Sequence, residues 1–427
     1  MSSRQFSLAS CQHASRLHCH RKRITWWPFF GTKSCYVHTT CNSSSVTVEE
    51  RPERYRRGGY HPVYLGETFN NKYEIISKLG YGVYSTVWLA KDLTSQSPHH
   101  VALKILTADS YGCSKPVYEL DILKHISQTD PSHPGYKHVV HLLDNFIHEG
   151  PNGKHLCLVL EVMRQNVYNL QQSFPNKQLP VHIGRQITKK ILHALDWLHD
   201  SCGIIHTDIK PDNILIEIPN VNEAVQKHLN QMKHSNSGQL EDSGLTSRSI
   251  ATDVVTETSK INIRITDFGV ASWKDDQLTE LIQPPSLRAP EVFLGAPWDS
   301  SVDIWGFACV IYELLQGRVL FRGRPGPKDA WTAEEDQLAQ MIELLGPIPV
   351  SVRKRGKRSN KFFDEEGNLL HIKQLYPYSL RDLLAQTTNT SISKEDYEKF
   401  EAFLRAMLQY EPRDRKTPKE LLEEPWL

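Results

Sequence analysis

No aspartate or glutamate occurs before Glu49. Arg4, Arg16, Arg21, Lys22, Arg23 and Lys33 make that stretch basic, and serine is frequent in it. The composition fits a disordered basic tail or a mitochondrial transit peptide, although Trp26, Trp27, Phe29 and Phe30 are unusual for either. The eight cysteines (Cys11, Cys19, Cys35, Cys41, Cys113, Cys157, Cys202 and Cys309) include no C-x-x-C pair, which argues against a zinc-ribbon or dithiol redox motif and suits a reducing compartment. Cys157 and Cys309 lie in apolar runs and read as small core residues. Cys11, His13, His18, Cys19 and His20 have no second ligand pair at a recognised spacing, which argues against a structural zinc in the tail. No apolar run is long enough to cross a bilayer. The net charge of +1 provides no overall field to recruit nucleic acid. There is no internal repeat. Hydrophobic content, at 39%, is low for a compact chain of 427 residues, as a disordered head and a polar insertion would make it.

The chemistry is concentrated in His206-Thr207-Asp208-Ile209-Lys210-Pro211-Asp212-Asn213. Asp208, Lys210 and Asn213 place a carboxylate, an ammonium and an amide at the spacing that phosphoryl transfer from a nucleotide to a hydroxyl requires. The carboxylate accepts the hydroxyl proton, the amine neutralises charge near the transferred group, and the amide holds a metal ion. Upstream, Lys72 to Leu89 predicts two strands joined by a tight turn. Leu79, Gly80, Tyr81, Gly82, Val83, Tyr84, Ser85, Thr86 and Val87 make up that turn and its flanks. Its glycines let backbone approach a triphosphate, though most Gly-x-Gly pairs are ordinary turns. In Val101-Ala102-Leu103-Lys104-Ile105, Ala102 and Lys104 share one strand face, so Ala102 can cover an adenine while Lys104 reaches phosphates. The plain alternative for Lys104 is an edge-strand gatekeeper. Glu119, in a helical pattern with Leu120, Ile122 and Leu123, can pair with Lys104 or lie on a solvated face.

The run from Leu156 to Met163 reads as a buried strand leading into a connector, where Leu160 lines a pocket and the backbone of Glu161 and Met163 meets the adenine edge. The same run also fits plain core. Ile187, Ile191, Ala194, Leu195 and Leu198 recur at helical spacing. Ile214, Ile216 and Ile218 alternate, which turns Leu215 toward the adenine; Ile261, Ile263 and Ile265 alternate up to Asp267-Phe268-Gly269, where Asp267 would hold magnesium.

Six separated motifs in this order resemble the eukaryotic protein kinase superfamily, from about Tyr73 to Leu427. Ala289-Pro290-Glu291, Asp303-Ile304-Trp305-Gly306 and Glu411-Pro412-Arg413-Asp414-Arg415 continue the match. By that resemblance Asp303 braces the catalytic loop and Arg415 pairs with Glu291. The lead-in Arg56-Arg57-Gly58-Gly59-Tyr60-His61-Pro62-Val63, the Leu79-to-Leu89 stretch and the insertion at 219–260 narrow the likeness to the serine/arginine-protein kinases, of fungal type. Ser85 replaces the third glycine of the common pattern, Asp-Phe-Gly stands where animal members have Asp-Leu-Gly, and Gln283-Pro284-Pro285-Ser286-Leu287-Arg288-Ala289 departs from the family's substrate-reading loop.

The resemblance implies an α+β, two-lobed protein-kinase fold. Residues 1–50 would be the tail and 51–72 a lead-in. Residues 73–427 would be the catalytic domain, with a small antiparallel lobe over 73–161 and a helical lobe over 162–427. The polar insertion, 219–260, would be a mobile loop. ATP and Mg2+ would be the cofactors. The implied partners are protein substrates, arginine/serine-rich ones of RNA splicing, met by a monomer without membrane or direct nucleic-acid contact. Thr207 stands where most regulated kinases carry an arginine that binds an activation-loop phosphate; lacking charge, it implies activity without that phosphate. The compartment would be cytoplasmic or nuclear, with the mitochondrion the alternative that the acid-free head suggests. Arg353-Lys354-Arg355-Gly356-Lys357-Arg358 reads as a nuclear address or a solvated charged loop. Glu334-Glu335-Asp336, Asp364-Glu365-Glu366 and Glu395-Asp396 read as substrate-docking acids or, more simply, as exposed surface. A nucleotide-binding scaffold without catalysis, and a Cdc2-like or dual-specificity kinase, are the rival readings.

Overall fold

A computed structural model describes residues 49–111, 118–235, 259–277, 279–386 and 393–427, together with Ser247, Ile250 and Val255. The basic head, its cysteines and histidines, and most of the second half of the insertion lie outside the described residues.

The small lobe follows from two-residue alternation. Strands β1 (Thr68–Phe69), β2 (Tyr73–Tyr81), β3 (Ser85–Asp92), β4 (His100–Leu106), β5 (Leu142–Gly150) and β6 (Gly153–Leu160) form one sheet in the order β1-β2-β3-β4-β6-β5. Every neighbouring pair is antiparallel. In β4, Val101, Leu103 and Ile105 enter an outer core with Trp88, Cys157 and Val159. Ala102 and Leu106 face the other way, onto the main core with Leu158 and Leu160. Lys104 shares that second face, so a lysine is tolerated in a buried strand because its side lines a cleft. Helix α1 (Glu119–Gln128) closes this face with Ile122, Leu123 and Ile126. Burying each such side chain contributes about 1.5–3 kcal/mol.

The large lobe is organised by α2 (Val181–Asp196), whose Ile183, Ile187, Ile191 and Leu195 form one buried stripe. Two short antiparallel ladders lie at the lobe junction. Strand β7 (Ile204–Ile205) pairs with β10 (Ser272–Trp273), and β8 (Ile214–Ile216) pairs with β9 (Ile263–Ile265). The isoleucines of β8 and β9 are buried, as their alternation predicts.

The insertion departs from expectation. In place of a mobile loop throughout, residues Val221–Ser235 form helix α3. Its sparse apolar residues fall at helical spacing. Ala224 and Val225, with Val221 and Leu229 beside them, pack on Leu89, Val162, Ile218 and Ile250. Helix α3 therefore lies against β3 and the connector between the lobes. Ser247, further along, donates from its amide at 2.6 Å and its hydroxyl at 3.0 Å to the Glu49 carboxylate.

Helix α4 (Ser301–Gln316) is buried around nearly its whole circumference. A buried bidentate pair, Arg415 Nη1 and Nη2 to Glu291 at 2.6 and 2.7 Å, locks the segment before α4 to the C-terminal region. Helix α5 (Ala333–Leu345) changes the reading of the first acid cluster. Glu335 and Asp336 are buried, not exposed. Glu335 accepts from the His371 amide at 2.7 Å, and Asp336 from the Arg324 amide at 2.9 Å. Glu334 faces Arg288 and Arg358. Three of the basic cluster's cations are also engaged: Arg355 with Glu411, Lys357 with Glu280 and Arg358 with Glu334. Cys157, Cys202 and Cys309 are free, buried thiols. No helix among the described residues is long and apolar enough to cross a membrane.

Candidate active site

The loop between β7 and β8 carries the signature residues. Its backbone is clamped from beneath by Asp303, in the first turn of α4 and 1% exposed. The carboxylate accepts from the amides of His206 and Thr207, both at 2.8 Å, and from His199 Nε2 at 2.9 Å. Thr207 has φ 64°, a left-handed conformation that a β-branched residue adopts only under constraint. Such strain costs about 1–3 kcal/mol. It is offset by the Asp303 clamp and by the Thr207 hydroxyl, which donates to the Val270 carbonyl at 2.8 Å. His206 Nε2 lies 3.0 Å from the Thr266 carbonyl, which can only accept, so Nε2 carries the proton. The remaining nitrogen, Nδ1, accepts from the Asp208 amide at 3.2 Å.

Above this brace, Lys210 Nζ donates to Asp208 Oδ2 at 2.6 Å. Asn213 Nδ2 donates to the Asp208 carbonyl at 2.9 Å and to Oδ2 at 3.0 Å. The amide nitrogen of Asn213 is thus committed, and its oxygen is the atom left for a cation. Burial raises the Asp208 carboxyl above the ordinary aspartate range, although Lys210 pulls the other way.

Lys104 supplies the opposite wall. Its ammonium donates to Glu119 Oε1 at 2.5 Å and to Asp267 Oδ1 at 2.9 Å. Lys104 in turn draws the Asp267 carboxyl down to about 2. Burial disfavours the Lys104 charge, but the two carboxylates outweigh it and its pKa rises. Asp267 also has a left-handed φ, 67°. The next residue, Phe268, is buried edge-on to His206 with ring centroids 5.0 Å apart, which orients the Asp267 turn.

In the glycine turn, Gly82 donates its amide to the Ser85 carbonyl at 2.8 Å, and Tyr81 pairs with Thr86. A Cβ added at Gly80 would meet nothing within 4 Å, and one at Gly82 would meet only Ser85 Oγ, at 3.8 Å. Neither glycine has a left-handed φ. No neighbour in the protein therefore requires glycine at either position, as expected if the space serves a ligand. Leu79 and Val87 pack at the edge of the cleft-side core. Tyr84 is exposed, Ser85 is buried, and the Thr86 hydroxyl accepts from the Trp88 indole at 3.0 Å. The Thr86 side chain is thus engaged within its own strand.

Ala102 sits directly opposite Leu160 across the β4–β6 ladder. Met163 is buried and Leu215 half-buried. The Glu161 carboxylate meets Arg264 Nη1 at 2.9 Å. Burial raises the Glu161 pKa despite Arg264.

Three contributors were not anticipated from sequence. Arg54 Nη2 donates to the Val83 carbonyl and the Tyr60 hydroxyl to the Gly82 carbonyl, so the lead-in holds the glycine turn from outside the sheet. His199 completes the Asp303 clamp. No local pattern marks Arg54 or His199, and Tyr60 lies in the lead-in motif at 56–63, which is read for its family likeness and not for a contact with the glycine turn.

A carboxylate beside an ammonium and an amide, facing a lysine held by two acids across an open glycine turn, defines a nucleotide-dependent phosphotransferase. The family model described as protein kinase domain matches residues 73–427. "Serine/threonine-protein kinase SRPK" of Physarum polycephalum is 37% identical over 399 residues, covering 89% of this chain and 91% of its own. "Protein kinase dsk1" of Schizosaccharomyces pombe is 33% identical, with 89% and 85% covered. "SRSF protein kinase 3" of Homo sapiens is 29% identical, with 89% and 90% covered. The chain belongs to the protein kinase family and, within it, to the serine/arginine-protein kinases. It is a protein serine/threonine kinase, acting on protein substrates with ATP and a divalent metal.

Proposed function

We propose that this kinase transfers the γ-phosphoryl group of ATP to serines in arginine/serine-rich proteins. Asp208 orients the serine hydroxyl and accepts its proton. Lys210 neutralises charge on the migrating group, and Lys104 holds the phosphates beneath the Gly80–Thr86 turn. The Asp267 carboxylate and the Asn213 amide oxygen are hard oxygen donors that suit Mg2+. A magnesium ion held there would supply charge neutralisation on the phosphates. The observation that carries this reading is Lys104 bonded at once to Glu119 and Asp267, which supports a shared cleft for the lysine we assign to the phosphates and the acid we assign to the metal.

The activity without activation-loop phosphorylation that we propose is supported by a second set of contacts, around Thr207. Thr207 has no charge to pair with a phosphate, and its hydroxyl already ties the loop to Val270. Ser272 and Trp273 are pinned to Ile205 and Ile204. The substrate class rests on the name of the human relative and on the lead-in. Among the acid clusters, Glu335 and Asp336 are committed inside the protein, so Asp364-Glu365-Glu366 is the better candidate for meeting arginines.

The test is phosphate transfer from ATP to an Arg-Ser repeat peptide against transfer to a generic basic protein, before and after phosphatase treatment of the kinase. We expect preference for the repeat peptide and unchanged activity after phosphatase. Transfer only to the generic substrate would remove the specificity, and loss after phosphatase would remove the constitutive state. We further propose that the enzyme works as a monomer in the cytoplasm or nucleus. Sedimentation, and imaging of fusions with and without residues 1–48, test these two points; mitochondrial import that depends on the head would contradict the second.

A further inference from the structure

On the small lobe's outer face, away from the cleft, the lead-in brings histidines together. His61 is 4% exposed, and neither ring nitrogen has a hydrogen-bond partner among the described residues. Its ring lies 4.4 Å from that of His148, on β5, and 5.1 Å from that of His155, on β6. Its Nε2 is 4.0 Å from Glu67 Oε1. One ligand atom each from His61, Glu67 and His148 lie within 4.8 Å of one another. His155 is fully buried. Its Nδ1 is 2.8 Å from the Leu106 carbonyl and must carry the proton, so Nε2 bears a lone pair, buried and unpartnered.

Buried imidazole nitrogens without partners are rare, and each calls for a cause. A fixed Nδ1–H to a backbone carbonyl with a bare Nε2 is the usual arrangement behind a metal-binding histidine. Neutral imidazole is the form that ligates. Two imidazoles and a carboxylate, with a third imidazole adjacent, suit zinc among the divalent cations. Tetrahedral bonds of about 2.1 Å need ligand atoms about 3.4 Å apart, within reach of small side-chain rotations. Glu67 and His148 are half-buried, which leaves an entry path.

We propose that His61, Glu67 and His148, with His155 beside them, form a zinc site that fastens the lead-in to the β5–β6 hairpin. This site is separate from the catalytic cleft and needs no nucleotide.

The test uses the full chain, stripped with a chelator and titrated with ZnCl2 against a chromophoric indicator, with melting temperature read in parallel. Head residues also offer thiols and imidazoles, so the quantity read is the difference between wild type and His148→Phe, which keeps an aromatic ring in the stack. We expect wild type to bind one zinc more than the variant, with affinity at least about 10-fold above the variant's at that site. We also expect zinc to raise the wild-type melting temperature by a few degrees and leave the variant's unchanged. Equal stoichiometry, with no zinc-dependent melting shift in wild type, would reduce the cluster to a stack of neutral rings on Phe69 and overturn the proposal. If His148→Phe does not fold, Glu67→Gln, at a half-exposed position, is read by the same criteria.

Discussion

The two walls of the cleft are held by different means. The catalytic loop is fastened from inside: Asp303, almost fully buried, accepts three hydrogen bonds, and two of them are to the loop's own backbone. The glycine turn projects from a hairpin, carries exposed Tyr84 at its tip, and is held by Arg54 and Tyr60 of the lead-in. A group that must place a proton acceptor gains from a rigid core. A turn that must admit and release a nucleotide gains from tethers that can yield. Damage to the first wall should therefore appear in turnover, and damage to the second in nucleotide affinity.

The largest effect is expected at the proton acceptor. Asp208→Asn should lower kcat by roughly 10²–10⁴-fold with ATP affinity near wild type; steady-state kinetics with a nucleotide-binding titration measures both. Asp303→Ala comes next. It leaves the buried amides of His206 and Thr207 without an acceptor, each costing about 1–3 kcal/mol, so melting temperature and kcat should fall together. The kcat loss should reach about 10²-fold if the loop shifts by an ångström. Asp303→Asn, which keeps one acceptor oxygen, should recover part of both.

The two cleft aspartates should separate on titration. The Asp208 carboxyl is raised by burial, so kcat should fall on the acid side while pH is still above the free-aspartate value of about 3.9. The Asp267 carboxyl is lowered to about 2 by Lys104. Its ion pair stabilises the fold fully above the unfolded-state pKa, and that contribution is lost only as pH falls toward 2. A pH series of kcat beside a pH series of melting temperature should therefore show activity failing first. The smallest effect belongs to the outer tethers. Arg54→Ala should raise KM for ATP by a few-fold, about 1 kcal/mol, with kcat unchanged. An equal fall in kcat would mean that the lead-in also positions the chemistry.

The elements that the sequence made legible are those whose signal is local. Period-two alternation placed Ala102 and Lys104 on the cleft face of β4, and the same rule turned the isoleucines of β8 and β9 inward. The Asp208–Asn213 spacing marked a loop whose hydrogen bonds span at most a few residues. Features set by distant partners were missed. Arg54 and Tyr60 reach the glycine turn across 29 and 22 residues, a relation no window of sequence contains. Glu335 looked like surface because its neighbours are charged; burial beneath His371 depends on a segment 36 residues away. Helix α3 was hidden by the polar average of the insertion, since four small or aliphatic residues at helical spacing sufficed to dock it.

The most direct test is a crystal structure of the chain with a non-hydrolysable ATP analogue and magnesium. We expect one nucleotide, with adenine between Ala102 and Leu215, phosphates beneath the glycine turn beside Lys104, and a metal ion on the Asn213 amide oxygen and the Asp267 carboxylate. A nucleotide seated elsewhere, or a cleft in which Asn213 and Asp267 share no metal, would contradict it.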